Sequence, residues 1–334
     1  MAVLKIDHAG PLVTVQDKGR PNFMRYGVTP GGPMDRRAFM LGHYALSQEP
    51  RGSIEISMGG LNLACVSGAV TACVTGGGFT VILDGKTLPS WSSFELTEGA
   101  KLQIRAGEWG SWCYLSFAGD LDTPQWLNSA STHLASDQCG VPLQMGDQLS
   151  VDNTRANASN GGEILDATRL KPAREIRVIM GPQDRYFSDE TIAEFLSNDF
   201  ALTAEYNRQG VRLSGPKLNI NQPLDMPSEP IERGSLQVPG HGDPIALMAD
   251  HQTTGGYPKI ATIISADQDA VTQMRTGDTL RFVAVDVETA TTAAHHANNQ
   301  TASLRQQIED QRMSLEQKLW NNNLVSGAID DTPQ

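Results

Sequence analysis

The chain has 334 residues, of which 39% are hydrophobic, and its formal net charge is -12 at pH 7. Its mean hydropathy is -0.30, no apolar run approaches the roughly eighteen residues of a membrane-spanning helix, and no block of Lys and Arg forms the basic stripe that nucleic acids require. These values argue against a membrane or nucleic-acid partner, and the length predicts two domains. Residues 1–7 lack the basic region and long apolar run of a secretory signal, so we expect a cytoplasmic protein.

The first half of the chain is predicted to fold into short strands joined by turns. The 32 Gly and 18 Pro are scattered along the chain without a period, which favours many turns over long helices. Apolar runs bounded by Gly, Asp or Pro are typical of strands and occur at residues 12–15, 70–74, 80–83 and 112–117. One helix is predicted over residues 34–47, where apolar residues recur at helical spacing and Asp35 lies near the positively polarised N-terminus.

A segment rich in Asn, Ala, Ser, Gly and Thr divides the chain near its middle. We predict an N-terminal β-barrel subdomain at residues 1–152, a linker at 153–172 and a C-terminal β-barrel subdomain at 173–288. Similar turns followed by alternating strands close the two halves, at Gly146-Asp147 and Gly277-Asp278. Such a repeat is expected if the two barrels are related.

Two further helices are predicted in the second half. Strands resume at residues 176–180, and a helix over residues 189–196 follows Ser188, whose hydroxyl suits an N-cap. In the tail, apolar residues recur at intervals of four and seven among polar ones, namely Leu304, Ile308, Leu315 and Leu319. This spacing is typical of an amphipathic helix, so the tail at residues 289–334 is expected to be helical or partly disordered.

The sequence lacks the motifs of several enzyme classes. It contains no G-x-S-x-G and no H-E-x-x-H, and its histidines are not spaced as metal ligands, so no metal site is expected. The four cysteines are widely spaced, which indicates buried, reduced thiols. Residues 85–87 (Gly-Lys-Thr) are not a phosphate-binding loop because position 80 is Thr instead of Gly. The three glycines at residues 76–78 are interpreted first as a turn, with a phosphate site as the alternative.

A segment near the N-terminus is denser in glycine and charge than a scaffold requires. Its polar side chains surround a loop whose glycines allow close backbone approach; they are Gln16, Asp17, Arg20, Asp35 and Arg36. Arg20 or Arg36 could bind a carboxylate or phosphate with two parallel hydrogen bonds. The alternative is an internal ion pair between Asp17 and Arg20 that orders the loop.

A second dense segment follows an apolar strand and runs from Asp250 to Lys259. A turn there needs only Gly255 and Gly256, so the surplus of carboxylate, imidazole, amide, hydroxyl and amine groups indicates a functional site. Asp250 or His251 could move a proton near neutral pH. The side chains that could orient an amide or a carboxylate are Gln237, Gln252 and Thr254.

Five motifs in these and neighbouring segments, in order along residues 8–283, resemble the carboxyltransferase domain subdomain A and B family. The resemblance ends before the tail. The motifs are Gln16-Asp17-x-Gly19-Arg20 continuing to Met34-Asp35, Gly181-Pro182-Gln183-Asp184-x-x-Phe187, Arg208-x-Gly210-x-Arg212-Leu213-x-Gly215, Gly234-Ser235-x-Gln237-Val238-Pro239, and Asp250-x-Gln252-Thr253-Thr254-Gly255-Gly256-Tyr257-Pro258-Lys259.

The resemblance implies an all-β fold with a few short helices, built from two cyclophilin-like β-barrel subdomains. The C-terminal helical tail predicted above follows them. Members of the family include the C-type component of 5-oxoprolinase, part of urea carboxylase, the protein labelled allophanate hydrolase subunit 2 and a Kip-type antagonist. Partners implied are a B-type subunit and an A subunit, with ATP in the assembled complex. Three functions stay open: ATP-dependent opening of the lactam of 5-oxo-L-proline, carboxyl transfer with biotin supplied by another protein, and non-enzymatic regulation through a kinase-inhibitor protein.

The roles of the predicted site residues are inferred from residue chemistry, and the family resemblance does not fix them. Asp250 and His251 are the predicted catalytic residues. His251 occupies a position where many relatives have Arg, and Asn207 and Gln209 replace the more usual Ser and Met. These departures bear on the identity of the substrate and leave the resemblance to the family intact. The predicted substrate-binding residues are Asp17, Arg20, Asp35, Arg36, Gln183, Asp184, Arg233, Gln237, Gln252, Thr253, Thr254, Gly255, Gly256, Tyr257 and Lys259.

Overall fold

The computed structural model describes residues 1–135, 138–156, 161–221 and 226–312, in which strands outnumber helices. The strands of the N-terminal half are β1 (Ala2–Ala9), β2 (Thr14–Gln16), β3 (Ser53–Ser57), β4 (Leu61–Ser67), β5 (Ala69–Thr75), β6 (Thr80–Leu83), β7 (Lys86–Leu88), β8 (Ser92–Thr97), β9 (Lys101–Arg105), β10 (Trp112–Phe117), β11 (Asp120–Leu121), β12 (Gln148–Asp152) and β13 (Gly162–Glu163). They form a seven-stranded sheet in the order β11-β12-β1-β4-β9-β6-β7 and a six-stranded sheet in the order β13-β8-β5-β10-β3-β2.

Alternation along the strands explains how the two sheets bury a common core. In β1, Leu4 and Ile6 are fully buried whereas Lys5 and Asp7 are exposed, because successive side chains of a strand point to opposite faces. The inward-facing residues of both sheets belong to one hydrophobic cluster. Burial of apolar area, at roughly 25 cal/mol per Å², is therefore what holds the sheets together.

The C-terminal half forms a closed barrel. Its strands are β14 (Glu175–Met180), β15 (Asp199–Tyr206), β16 (Gly210–Ser214), β18 (Ser235–Gln237), β19 (Ile245–Leu247), β21 (Lys259–Ile263) and β22 (Thr279–Ala284), and a separate two-stranded sheet pairs β17 (Glu229–Pro230) with β20 (Thr254–Gly255). The barrel order is β14-β21-β18-β19-β16-β15-β22, and a parallel pairing of β14 with β22 closes it. Phe195, Phe200 and Phe282 pack in its core, with ring centroids 4.7 Å apart for Phe195 and Phe282.

Four α-helices accompany the strands of the described chain: α1 (Arg36–Ala45), α2 (Asp189–Ser197), α3 (Gln268–Gln273) and α4 (Val287–Arg312). Asp35 caps α1 and Ser188 caps α2, each accepting a backbone N–H three residues on. The helices predicted over residues 34–47 and 189–196 are thus confirmed, within two residues at each end. In α4, Ile308 is buried beside α1; the predicted stripe residues Leu315 and Leu319 lie outside the described residues.

The predicted fold class is confirmed: the chain is mostly β with few helices, contains a closed barrel and carries a helix after it. The subdomain boundaries stay a prediction. Within the segment predicted as a linker, β13 pairs with β8, and Ile164 and Leu165 are buried against α1. The four cysteines are buried, and every helix in the described ranges is too short or too polar to span a lipid bilayer.

The two halves pack directly against each other. Met34 and Trp112 from the N-terminal half belong to the core cluster of the barrel. Gln273 at the end of α3 accepts a hydrogen bond from the Ser111 backbone N–H over 3.0 Å and donates to the Trp112 carbonyl over 3.0 Å. This junction brings the two polar segments of the sequence together.

Candidate functional site

A fully buried ion network joins the halves at the junction. Arg208, between β15 and β16, donates from Nε to Asp250 Oδ2 over 2.8 Å and from Nη2 to Asp250 Oδ1 over 2.9 Å. Its Nη1 donates to Glu55 of β3, and Nη2 also donates to the Gly32 carbonyl over 2.7 Å. Burial alone would lower the pKa of Arg208, but Asp250 and Glu55 outweigh burial and hold the pKa above its ordinary value.

Glu55 is also held by neutral donors. Its Oε2 accepts from the Tyr114 hydroxyl and from the Met34 backbone N–H, each over 2.8 Å. Burial, followed by the charge of Glu55, raises the pKa of Tyr114 well above its ordinary value, so the phenol stays protonated and donates. The network is therefore satisfied by protein groups, which is the condition under which buried charges are tolerated.

Asp17 orders a neighbouring loop. Its Oδ1 accepts from the hydroxyls of Ser129 and Ser131 over 2.6 and 2.7 Å, and its Oδ2 accepts from the Ala130 backbone N–H over 2.7 Å. The Gly19 backbone N–H also donates to Oδ1, over 2.8 Å. Because these donors occupy the carboxylate, Asp17 holds the loop at residues 129–131 in place and forms no ion pair with Arg20.

Arg20 lies beside this loop and close to Asp250. Its side chain is buried, donates from Nη2 to the Ser131 carbonyl and has its guanidinium carbon 5.2 Å from the centroid of the Trp126 ring. Its Nε and Nη1 have no hydrogen-bond partner in the described part of the chain. The structure therefore separates the two predicted anion-binding arginines, since Arg36 is exposed.

Asp250 and His251 connect this network to the second polar segment. Both are buried in the segment that follows β19, and both carboxylate oxygens of Asp250 accept hydrogen bonds from Arg208. His251 Nδ1 lies 2.7 Å from the Gln252 carbonyl oxygen, so Nδ1 carries the proton and Nε2 is unprotonated in the neutral ring. Burial lowers the pKa of His251, which keeps the imidazole neutral near pH 7.

A cluster of amide side chains lies under the turn that follows. Gln237 is buried; its Oε1 accepts from Gln252 Nε2 over 3.1 Å, and its own Nε2 has no partner within the described residues. Gln183 Oε1 accepts from the Lys259 backbone N–H over 2.9 Å, and Gln183 Nε2 donates to Glu229. Lys259 Nζ lies 3.7 Å from Glu229 Oε2. Four predicted residues thus form one polar cluster.

The turn itself carries the remaining predicted residues of the second segment. Thr254 and Gly255 form β20 and pair with β17. The Thr253 carbonyl accepts from the Ile231 backbone N–H over 3.1 Å. A Cβ at Gly256 would meet no atom closer than 3.5 Å, and Tyr257 is 45% exposed, so the turn lies at the surface above the amide cluster.

Other predicted residues lie at the start of α1. Asp35 Oδ1 accepts from the Ala38 backbone N–H and Oδ2 from Gln273 Nε2, each over 2.8 Å. Burial, followed by the charge of Asp269, raises the pKa of Asp35 to about 6. Arg233 donates to the carbonyls of residues 33 and 34, and burial lowers its pKa to about 10. These contacts position the helix and the preceding loop.

A cavity of about 860 Å³ lies between α1 and α4. It is lined by Asp35, Arg36 and residues of α4, but Asp250, His251 and Gln237 do not line it.

Asp184, another predicted residue, is half-buried, and its side chain accepts a hydrogen bond from the neighbouring Arg185 backbone N–H. The predicted site residues therefore fall into two groups, one beside this cavity and one at the junction and the turn. The residues of the second group are continuous with one another.

The glycine-rich segments do not fit a phosphate. Residues 85–87 lie in the β6–β7 hairpin. A Cβ at Gly78 would lie 2.5 Å from Trp109 Nε1, and one at Gly77 would lie 2.8 Å from the Phe79 ring. These glycines are needed for close packing, so they do not form a nucleotide cradle. In addition, no three His, Cys, Asp or Glu residues of the described ranges could hold a metal ion together.

Three residues of the network were missed from the sequence: Glu55, Tyr114 and Arg208. Arg208 begins one of the family motifs, but no local signal paired it with an acid. Glu55 was detectable as a carboxylate in the middle of a short apolar strand, Ser53–Ser57, whose residues are nearly all buried. A charged residue at such a position requires a partner.

The chain belongs to the carboxyltransferase domain, subdomain A and B family, whose sequence model matches residues 26–284. It is 36% identical over 285 residues to the 5-oxoprolinase C-type component of Haemophilus influenzae, covering 83% of this chain and 89% of that protein. It is 30% identical over 322 residues to the 5-oxoprolinase C-type component of Escherichia coli, covering 95% of this chain and 98% of that protein. The solved structure of K. lactis urea amidolyase aligns with a TM-score of 0.81 and 25% identity over 90% of this chain and 20% of that chain.

Proposed function

We propose that the chain is the C-type component of an ATP-dependent 5-oxoprolinase, which opens the lactam of 5-oxo-L-proline to L-glutamate with an A and a B subunit. The observation that carries the proposal is the similarity to two proteins named as this component of 5-oxoprolinase, over 89% and 98% of their length. Both halves of the chain take part in this similarity, since it covers 83% and 95% of the chain.

We place the lactam against the amide cluster under the turn. Gln237 Nε2 is a buried donor without a partner in the described chain, and a lactam carbonyl oxygen is an acceptor that would satisfy it. The neighbouring Gln252 amide, 3.1 Å from Gln237, orients the donor. An unmet buried donor costs roughly 1–3 kcal/mol, so a substrate that satisfies it recovers this energy on binding.

His251 is the proton acceptor of the proposal. Its unprotonated Nε2 can accept a proton from the water that attacks the lactam carbon once the amide is activated. Both carboxylate oxygens of Asp250 accept hydrogen bonds from Arg208. In the proposal Asp250 therefore holds the backbone next to His251 in position. ATP supplies the activation of the amide in the assembled complex, and we place the nucleotide on the partner subunits.

A carboxyltransferase role is the second candidate. The overlay with K. lactis urea amidolyase favours it, with a TM-score of 0.81 over 90% of this chain. Urea also presents an amide, so the same glutamine cluster would bind it, while biotin would be supplied by a separate protein. The two candidates differ in the energy source: ATP with the partner subunits, or a carboxylated biotin.

Co-expression of the chain with the A and B subunits, followed by an assay for glutamate release from 5-oxoproline, tests the proposal. Glutamate is expected only when ATP and all subunits are present. An assembled complex that releases no glutamate contradicts the proposal, and transfer of labelled carboxylate from carboxybiotin to urea would support the second candidate.

Replacing His251 tests the assignment of the proton acceptor. In His251→Gln we expect kcat to fall about 10²- to 10⁴-fold, the contribution of a positioned general base, with a much smaller change in KM. His241→Gln is the matched control, because the His241 side chain is 46% exposed, and its activity should equal that of the wild type. A kcat for His251→Gln within a factor of three of the wild type removes His251 from the mechanism.

A further inference from the structure

Arg20 is a cation enclosed without an acid. Its residue exposure is 1%, and the one hydrogen bond of its side chain in the described chain goes from Nη2 to the Ser131 carbonyl. Nε and Nη1 have no partner there, although a guanidinium carries five N–H donors. By contrast, Arg208 uses all three of its nitrogens, on Glu55, Asp250 and a carbonyl.

Of the two unpartnered nitrogens of Arg20, Nη1 lies next to Gly31. A Cβ at Gly31 would lie 3.2 Å from Arg20 Nη1 and 3.8 Å from Asp250 Oδ1, so the glycine places no side chain against Nη1. The loop is tied to the arginine, because the Arg20 backbone N–H donates to the Pro30 carbonyl over 2.7 Å. Trp126 stacks on the guanidinium at 5.2 Å. An acceptor therefore has to arrive in the guanidinium plane.

We propose that Arg20 anchors the carboxylate of the substrate and thereby selects carboxylate-bearing lactams. The inference rests on the proposed function and adds a specificity-determining residue to it. A carboxylate is planar, and its two oxygens match two N–H groups of a guanidinium. The carboxylate of 5-oxoproline supplies the acceptor that the protein does not.

Charge balance favours a monoanion over a phosphate. The positive charge of Arg208 compensates one of the two negative charges of Glu55 and Asp250. The other negative charge offsets Arg20 at longer range, but it does not satisfy the N–H donors of Arg20. The four side chains together are neutral. A dianion placed beside Asp250 would leave two uncompensated charges in a buried site, which is costly, whereas a carboxylate adds one charge and gains charge-assisted hydrogen bonds.

The test compares 5-oxoproline with 2-pyrrolidinone, the same lactam without the carboxylate, on the complex of all subunits. We expect Arg20→Gln to raise KM for 5-oxoproline about 10- to 100-fold, the effect of losing a charged hydrogen bond, with a smaller change in kcat. Binding is measured independently by the fluorescence of Trp126, with Trp126→Phe identifying its share of the signal. The wild type should bind 5-oxoproline more tightly than 2-pyrrolidinone, and Arg20→Gln should bind both weakly and equally.

Two further variants keep the result interpretable. Arg20→Lys retains the buried charge without the planar fork and should give an intermediate KM, which covers the case in which Arg20→Gln fails to fold. Arg25→Gln removes an exposed arginine of the same loop, stacked on Tyr26, and should leave KM unchanged. A complex in which Arg20→Gln or Arg20→Lys keeps the full preference for 5-oxoproline overturns the role of Arg20. An assembled wild type without glutamate release contradicts the proposed function instead.

Discussion

Buried ionisable side chains at the junction differ in how their charge is compensated. Arg208 forms ion pairs with two carboxylates, whereas the Asp35 carboxylate faces a second carboxylate, that of Asp269. The oxygens of Asp269 accept hydrogen bonds from the Arg36 and Arg37 backbone N–H groups over 3.2 and 3.1 Å. The pKa of Asp35 is about 6 because burial and Asp269 both disfavour its charged form. Asp35 therefore binds a proton more tightly in the folded chain than in the unfolded chain.

The raised pKa of Asp35 in the folded chain predicts that protein stability depends on pH. Between pH 4 and pH 6 the folded state binds more protons at Asp35 than the unfolded state, so stability falls as pH rises through this window and is constant above it. Relative to Asp35→Asn, the wild type should lose up to about 3 kcal/mol of unfolding free energy from pH 4 to pH 7, at 1.36 kcal/mol per pKa unit. Urea unfolding of both proteins at several pH values measures this.

The difference between the two proteins is the quantity to follow, because other carboxylates titrate in both. Asn keeps an oxygen that can cap α1, and its amide meets the Gln273 donor with a constant, pH-independent cost. If the difference between the wild type and Asp35→Asn does not change from pH 4 to pH 7, the pKa of Asp35 is ordinary.

At the scale of elements, the turn between β19 and β21 is held over the barrel by the small β17–β20 sheet. Gly255 in β20 approaches the barrel closely: a Cβ there would lie 2.5 Å from Ile231 Cδ1 and 2.6 Å from Gln237 Nε2. Both of those side chains are buried. The position of the Gln237 amide therefore depends on a glycine in the neighbouring strand.

Gly255→Ala should displace Gln237 or Ile231 and lower the unfolding free energy by about 1–3 kcal/mol, the usual cost of overpacking a buried site. The adjacent Gly256→Ala is the control for stability, since the nearest atom to its Cβ would be the Met226 carbonyl oxygen at 3.5 Å. Chemical denaturation of the two variants measures the difference. Equal stability of both would show that the Gln237 side chain moves away without cost.

For the whole molecule, the ion network ties the N-terminal sheets to the barrel. Glu55 belongs to β3 in the six-stranded sheet, while Arg208 and Asp250 flank strands of the barrel. Met34 and Trp112 add apolar contacts across the same junction. Because the site residues come from both halves, the site exists only while the halves are docked.

Arg208→Met should lower the unfolding free energy by about 3–5 kcal/mol, because it leaves Glu55 and Asp250 buried without their cation. The surface pair of Arg281 and Asp199, whose side chains are about half exposed, provides the control. Arg281→Met should cost less than about 1 kcal/mol. A loss for Arg208→Met as small as that of the control would mean that water reaches the network.

The sequence by itself determined several strands, two of the four described α-helices and the family. Alternating apolar residues, glycine-rich turns and the Asp35 and Ser188 caps are local signals, since each depends on neighbours within a few residues. They therefore predicted several strands, α1 and α2, but not β13 or α3. The ordered motifs identified the family without any tertiary information. They also marked the turn at residues 250–259, in which His251 and Gln252 lie together.

Only the tertiary structure decided which charged side chains face each other. Glu55 and Arg208 are 153 residues apart, and no local pattern links an acid in one strand with a guanidinium in the other half. The sequence offered Arg20 and Arg36 equally as anion-binding residues, and burial separated them: one is enclosed with unmet donors, while the other is exposed. Desolvation and the pairing of buried charges depend on surroundings supplied by distant segments, so they are set by packing of the two halves.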